Sequence, residues 1–459
     1  MRSKLFCRHF CRSRFLFLIL FCLLFCCCSD DVQKITPDDI YKFFCHKIYG
    51  TEDPSNTDQP RVRSTTIAYM KKSISYFMNS TGKWNESENR GNPTQSKKVN
   101  NIIKAMKKSE TRGTGADSKA DRAFTMEEFT AIVELLDKRH RAMACMQLHL
   151  ISRGDDTSHM KKSVLKQSLQ FQEYLTARIS WSKNVNDTTD CPDHILLPSK
   201  DPRTCVYLSL SIWLEEWCGK GVGHRSQWLF VDGETTSASP VKQQDNEANL
   251  GKNKYLAAVK KCIEHHAFRP STQGNLGSHS IRKLGTTHCR RCGAPKDDVD
   301  YRARWQSKGR MQDRYTDVQL PWPDLNAAAK LCLGGPIKYK IKQQAGITNE
   351  WICSVVTPAI TEIFDEHIGA ILGRALLWAC FDAEWSEKVC PEIRHRVVNE
   401  FIQLKRFNTD NTNPVDKIEV VPYEGVLHEK FEFIFTQVYS MSRSYYMHLN
   451  SSLQQLFSH

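Results

Sequence analysis

The sequence predicts a mainly α-helical protein with one small β-sheet, an α+β fold. Apolar residues recur at helical spacing in one segment after another, and strand-like runs are confined to two short stretches. With 40% hydrophobic residues over 459 positions, the chain can bury sizeable cores in two or three domains.

The elements follow in order. Basic residues up to Arg14 precede the apolar run Phe15 to Cys28, the layout of a signal-peptide core. A run of 14 residues is short for a membrane span, which needs roughly 20. Residues 1–30 therefore read as a signal-like apolar segment or as an extension of the gene model. Glycosylation sequons at Asn79, Asn85, Asn186 and Asn450 suit the first of these.

In "TTIAYMKKSISYFMN", Ile67, Met70, Ile74, Phe77 and Met78 mark one helix face. "VNNIIKAMKKSE" repeats the pattern with Val99, Ile102, Ile103 and Met106. These define a small basic helical domain over 33–110, followed by a Gly-containing linker, 111–122. A larger domain, 123–330, opens with the capping box Thr125/Glu128 and a single helix through "MEEFTAIVELLDKRHRAMACMQLHLI". Strands are expected in "SLQFQEYLTARISWSK" and "DHILLP", and a helix after Asp201-Pro202. A polar loop over about 231–253 leads to a helix at "KYLAAVKKCIEHH" and another at "SHSIRKLGTTHCRR". The extension 331–459 is helical. Its apolar segment "AITEIFDEHIGAILGRALLWACF" is interrupted by charges and reads as a buried helix.

The formal net charge is +13. Arg61 to Arg122 holds 14 Lys/Arg against 5 Asp/Glu, and Ser278 to Tyr315 holds 10 against 4. Such clusters favour polyanions, nucleic acid or an anionic membrane, although a basic stretch is also an ordinary solvated surface. Of 18 cysteines, six lie at or before Cys28 and the rest are scattered, which is no disulfide framework.

Breaking a phosphodiester without metal or ATP requires a nucleophile, cations on the non-bridging oxygens and an acid for the leaving oxygen. Tyrosine can serve as nucleophile, but its pKa of about 10 demands a base or a cationic pocket. Arginine suits the oxygens because its fork binds phosphate bidentately and stays charged. The chain carries such a set: Arg153 with Asp156 three residues on, Lys183 after a strand, His279 and Arg282 on one helix face, Trp305, and Tyr315. Each residue alone is an ordinary surface or packing residue; the order and spacing carry the signal. Trp305 follows Arg282 by 23 residues and Tyr315 follows Trp305 by 10.

This order resembles the tyrosine recombinases, the phage-type integrase family. The wording "LGSHSIRK", "MQDRY" and "LPSKDPRTCVYLSLSIWLE" is most similar to recombinases of eukaryotic mobile elements, in the manner of Cryptons. The family's first box is usually Gly-x-Arg-x-x-Glu; here Ile151 stands for the Gly and Asp156 for the Glu. The resemblance covers about 120–320 and implies a tyrosine recombinase catalytic domain there. It makes the 33–110 helices a DNA core-binding domain. It implies Tyr315 as nucleophile forming a 3′-phosphotyrosyl link, Arg153 and Arg282 as clamps, and Lys183 as general acid. His279 would take part in proton transfer and Trp305 would pack on the phosphate. It further implies double-stranded DNA as partner, a homo-oligomer on DNA, no small-molecule substrate, no cofactor and a nuclear location.

Three other readings stand beside this one. Cys289 and Cys292 have zinc-ligand spacing beside His288, with Cys262, His265 and His266 upstream, but no second tight pair. The chain could also keep the fold as a DNA-binding protein without turnover, or, from its N-terminus, be a secreted glycoprotein.

Overall fold

The computed structural model describes residues 35–55, 58–78, 82–118, 121–181, 191–221, 224, 226–231, 240–305, 324–341, 347–407 and 420–423. Lys183, Tyr315, the apolar run 15–28 and the sequons at Asn79, Asn186 and Asn450 lie outside them. The chain forms two compact units, 1–120 and 121–459.

In the first unit, α1 (Pro37–Tyr49), α2 (Ser64–Tyr76) and α3 (Lys97–Thr111) enclose Ile40, Phe44, Ile48, Ile67, Val99, Ile102, Ile103 and Met106. Helix α1 starts at a reciprocal Thr36/Asp39 capping box that the apolar pattern had not singled out. The face expected of α2 is realised at Ile67, while Met70 and Ile74 are only half-buried. Phe77 is 36% exposed because the helix stops at Tyr76 and the spacing no longer applies. Lys97, Lys98, Lys104, Lys107 and Lys108 line the solvent side of α3.

The second unit has one large core and a small satellite cluster of Trp228, Val231 and Ala248. Helix α4 (Met126–Leu135) begins at the expected capping box. Glu128 accepts hydrogen bonds from both Nη atoms of Arg122, from Thr125 N and from Ser271 N. Burial alone would raise this carboxyl; those donors outweigh it and hold it at about 2. The single helix expected over 126–150 is two. Asp137 caps a new helix, α5 (Lys138–His149), through His140 N, and Leu136 is extended between them. Helix α5 is buried nearly all round, from Ala142 to His149.

After the short α6 (Gly154–Ser158) come β1 (Leu165–Gln167), β2 (Leu175–Arg178) and β3 (Asp193–Leu196), an antiparallel sheet in chain order. Leu165 pairs with Ala177, and Leu175 with Leu196. Helix α7 (Val206–Gly219) follows a 3₁₀ turn at Pro202–Thr204. The expected polar loop is helical from Pro240 onward, in α8 (Pro240–Ile263). Proline suits the first turn there, and the polar run after it carries no apolar period to betray the helix.

Helices α9 (Ser278–Arg291), α10 (Lys296–Arg302) and α11 (Asp324–Leu331) complete the frame around the site. Beyond them, β4 (Lys338–Ile341) pairs with β5 (Val420–Tyr423), and a helical segment, Asn349–Trp351, runs into a π-turn, Ile352–Val356. The apolar tail segment is buried as two helices, α12 (Pro358–Ile363) and α13 (Glu366–Phe381), because Asp365 caps a new start at Ile368 N. With α14 (Pro391–Phe407) they share the core of α5 and α7. Buried Glu215 ties α7 to α12 and α14, accepting from Ile360 N and Arg396 Nη2. No helix of the described residues is long and apolar enough to cross a membrane.

All 12 described cysteines are free. Cys289 is buried with its thiol toward Ala327 O, whereas Cys292 is exposed beside His288. The two thiols, only weak candidates for a metal from their spacing, thus face different surroundings, and no group of three or more metal-binding side chains occurs among the described residues.

Candidate functional site

Two helix-ending turns build the site. Helix α5 closes with Ser152 N bonded to Gln147 O and Ile151 N to Leu148 O, which places Ile151 at φ 44°. Helix α10 closes in the same way: Trp305 N bonds to Asp300 O, Arg304 N to Tyr301 O, and Arg304 sits at φ 56°. Both are Schellman turns, whose left-handed residue is usually glycine, as Gly293 is after α9. A side chain there costs about 1–2 kcal/mol. Ile151 bears that strain where glycine would relieve it, and its buried side chain offsets the cost by packing.

The turn at Ile151 presents Arg153 as the N-cap residue of α6, where its backbone N–H donates to Asp156 Oδ2. Helix α9 approaches α5 at Gly285, where a Cβ would stand 3.2 Å from Leu148 O. Gln147 fixes the alignment by donating to Ser278 O at 2.9 Å and Ser152 O at 3.3 Å, with Tyr255 donating to its oxygen. The first turn of α9 thereby carries His279 and Arg282 to the Arg153 turn.

Three guanidinium groups gather on Asp156, which is 1% exposed. Arg304 Nη2 lies 3.4 Å from its carboxylate, Arg282 Nη1 3.8 Å and Arg153 Nη1 4.0 Å. Arg282 donates through Nη2 to Ala303 O at 2.8 Å and lies under the Trp305 ring, 5.3 Å from its centroid. Its Nη1 and Asp156 Oδ1 are buried without a hydrogen-bond partner. Burial, then Arg304 and Arg153, pull the Arg282 guanidinium down to about 10; burial pulls Arg304 to about 10 as well. Three cations stand against one carboxylate beside an exposed indole, leaving an excess of positive charge of the kind that suits an anion.

His279 is exposed at the rim. Desolvation of its ring, then the charges of Arg282 and Lys283, hold its pKa below the usual value, so it is neutral near pH 7 and able to accept a proton. The structure thus brings together Arg153, His279, Arg282 and Trp305 of the expected set. Lys183 belongs to the connection between β2 and β3, and Tyr315 to the stretch between Trp305 and α11; both lie outside the described residues.

Sequence reasoning missed Arg304 and a buried network beneath the site. Arg302, fully buried, donates to His149 O, Asp324 Oδ1 and Ile195 O at 2.7–2.8 Å. Asp324 also accepts from His194 Nδ1 and Ile195 N. The adjacent motif "RARW" was visible, but nothing in it shows which arginine turns inward.

Burial and the Arg302 charge push His149 down to about 3, and burial also lowers His194. The sign is clear: below about 6.5 the unfolded chain takes up a proton that folded His149 refuses until about pH 3. Stability is therefore expected to fall between pH 6.5 and 4.5 by up to about 1.4 kcal/mol per pH unit for such a histidine. Urea unfolding of wild type and His149→Gln checks this; the variant should show the shallower slope.

No family model matches the chain, and no curated protein matches it. Among solved structures the chain is similar to XerH site-specific recombinase bound to difH substrate in a pre-cleavage complex. That likeness has 12% identity and a TM-score of 0.30, covering 61% of this chain and 80% of that one. It is also similar to the same recombinase on palindromic difH in a post-cleavage complex, with 12% identity and a TM-score of 0.30 over 61% of this chain and 79% of that one.

Proposed function

We propose that the protein cuts and rejoins strands of double-stranded DNA through a 3′-phosphotyrosyl link, as a tyrosine recombinase of a eukaryotic mobile element. The observation that carries this reading is the buried, unpartnered Nη1 of Arg282 within a three-arginine cluster. It joins the ordered set from Arg153 to Tyr315 in the sequence.

In this reading the scissile phosphate enters beneath Trp305, and Arg282 and Arg153 hold its non-bridging oxygens. Tyr315 Oη attacks phosphorus while its proton passes to neutral His279. The bond to the 5′-oxygen breaks, and Lys183 supplies the proton that oxygen needs. The phosphodiester energy is kept in the tyrosyl ester, so attack by another 5′-hydroxyl reverses the steps. The basic helices of the first unit serve as the core-binding arm on DNA, and the enzyme acts as a homo-oligomer in the nucleus.

The test uses nicked duplexes from the DNA flanking the gene. Protein lacking residues 1–30 is expected to give an SDS-resistant adduct whose cross-linked peptide contains Tyr315. Salt-sensitive binding without an adduct would instead indicate a non-catalytic DNA-binding protein of this fold. Absence of both would overturn the reading.

A further inference from the structure

We infer that Arg304 is a positioning residue of the anion site: it neutralises Asp156 so that the charge of Arg282 is left for a phosphate rather than drawn onto the carboxylate. This rests on the phosphodiester reading above and adds a residue to it. Of the three guanidinium groups on Asp156, that of Arg304 is nearest, at 3.4 Å against 3.8 and 4.0 Å. Its other bonds, to Leu150 O and Arg302 O at 3.4 Å each, turn it inward rather than toward solvent. Without it, Arg282 Nη1 would be the nearest charged donor to a buried carboxylate and would close on it. That would consume the buried Arg282 donor that has no hydrogen-bond partner and reduce the charge available to a ligand.

The backbone supports the same conclusion. Arg304 occupies the left-handed position of a Schellman turn, where glycine would relieve strain and a cap alone would be better served. The turn sets Ala303 O and the Trp305 ring on a single guanidinium, that of Arg282. An arginine kept in such a place, buried and ionised, is retained for its charge rather than for the turn.

The experiment compares wild type, Arg304→Gly and Arg304→Lys in the full chain. Glycine keeps the turn and removes the charge; lysine keeps the charge and the strain. Measured are Tm, the affinity for inorganic tungstate as a tetrahedral anion, duplex affinity, and the rate of adduct formation. Arg304→Gly is expected to melt at or above the wild-type temperature, to lose about tenfold or more in tungstate affinity, and to form adduct about 10- to 100-fold more slowly. Duplex affinity should stay within about threefold, since most phosphate contacts lie elsewhere. Arg304→Lys should recover part of the tungstate affinity despite melting lower than the glycine variant.

Wild-type tungstate affinity in Arg304→Gly overturns the inference. So does a wild type that binds no tungstate, or a Tm loss in Arg304→Gly that accounts for the slower cleavage. If wild type binds tungstate through Arg304 yet never forms an adduct, the strand-cleavage reading fails and the anion-site role stands.

Discussion

An Arg282→Ala enzyme is expected to form the covalent adduct about 10²- to 10³-fold more slowly while binding duplex within about tenfold of wild type. The effect is geometric and electrostatic in origin. Arg282 is 6% exposed, held by Ala303 O and covered by Trp305, so its position is fixed before any ligand arrives. A donor fixed in advance needs no reorganisation as charge builds on the phosphoryl oxygens, and it acts where little water screens it. Duplex affinity sums many phosphate contacts, of which this is one. Thermal stability should hold or rise, because burial beside Arg304 and Arg153 already works against the Arg282 charge. Quench-flow cleavage, filter binding and a melting curve read the three quantities. Equal losses in cleavage and binding would reduce Arg282 to one more phosphate contact.

The second large effect is on stability. Asp324→Ala should cost about 3–5 kcal/mol, because it strands the buried Arg302 cation. Arg302 and Asp324 are both fully buried, and between them they satisfy His149 O, Ile195 O, Ile195 N and the His194 ring. Urea unfolding measures the loss. An Arg302→Met/Asp324→Leu double variant should recover much of it, since an apolar pair leaves no charge unpaired. Cleavage by that double variant is expected to remain slow even though it folds. The pair fixes the carbonyl two residues before Ile151, the third strand, and both ends of the segment that contains Tyr315. Full cleavage in a stable double variant would make the pair purely a matter of stability.

Those two cases mark how far the sequence could be read. The spacing of His279 and Arg282, the Thr125/Glu128 box and the apolar face of α3 are local patterns, and local patterns survive into structure because they depend on helix geometry alone. Asp156 was legible as the acid after Arg153. Arg304 was not, since its importance lies in a left-handed φ and an inward rotamer that composition does not encode. His194 and Asp324 are 130 positions apart and meet only in the folded core. The break at Asp137 and the early start of α8 were missed for the opposite reason. At Asp137 one capping residue broke a longer apolar pattern, and at Pro240 a polar run with no apolar period concealed a helix.

The free thiols have a practical consequence. Ten of the twelve described cysteines are buried, Cys390 is half-covered and Cys292 alone is exposed. Burial pushes Cys145, Cys218, Cys289 and Cys380 up to about 12, so these sulfurs stay protonated and inert in the native state. In protein lacking residues 1–30, a brief maleimide pulse should therefore tag Cys292 first among the described cysteines, just past the C-terminal end of α9, and supply a native position for a fluorophore. The slower tagging of the others, followed by mass spectrometry, would time the breathing of the second unit's core from ten separate vantage points less the one, Cys45, that belongs to the first unit.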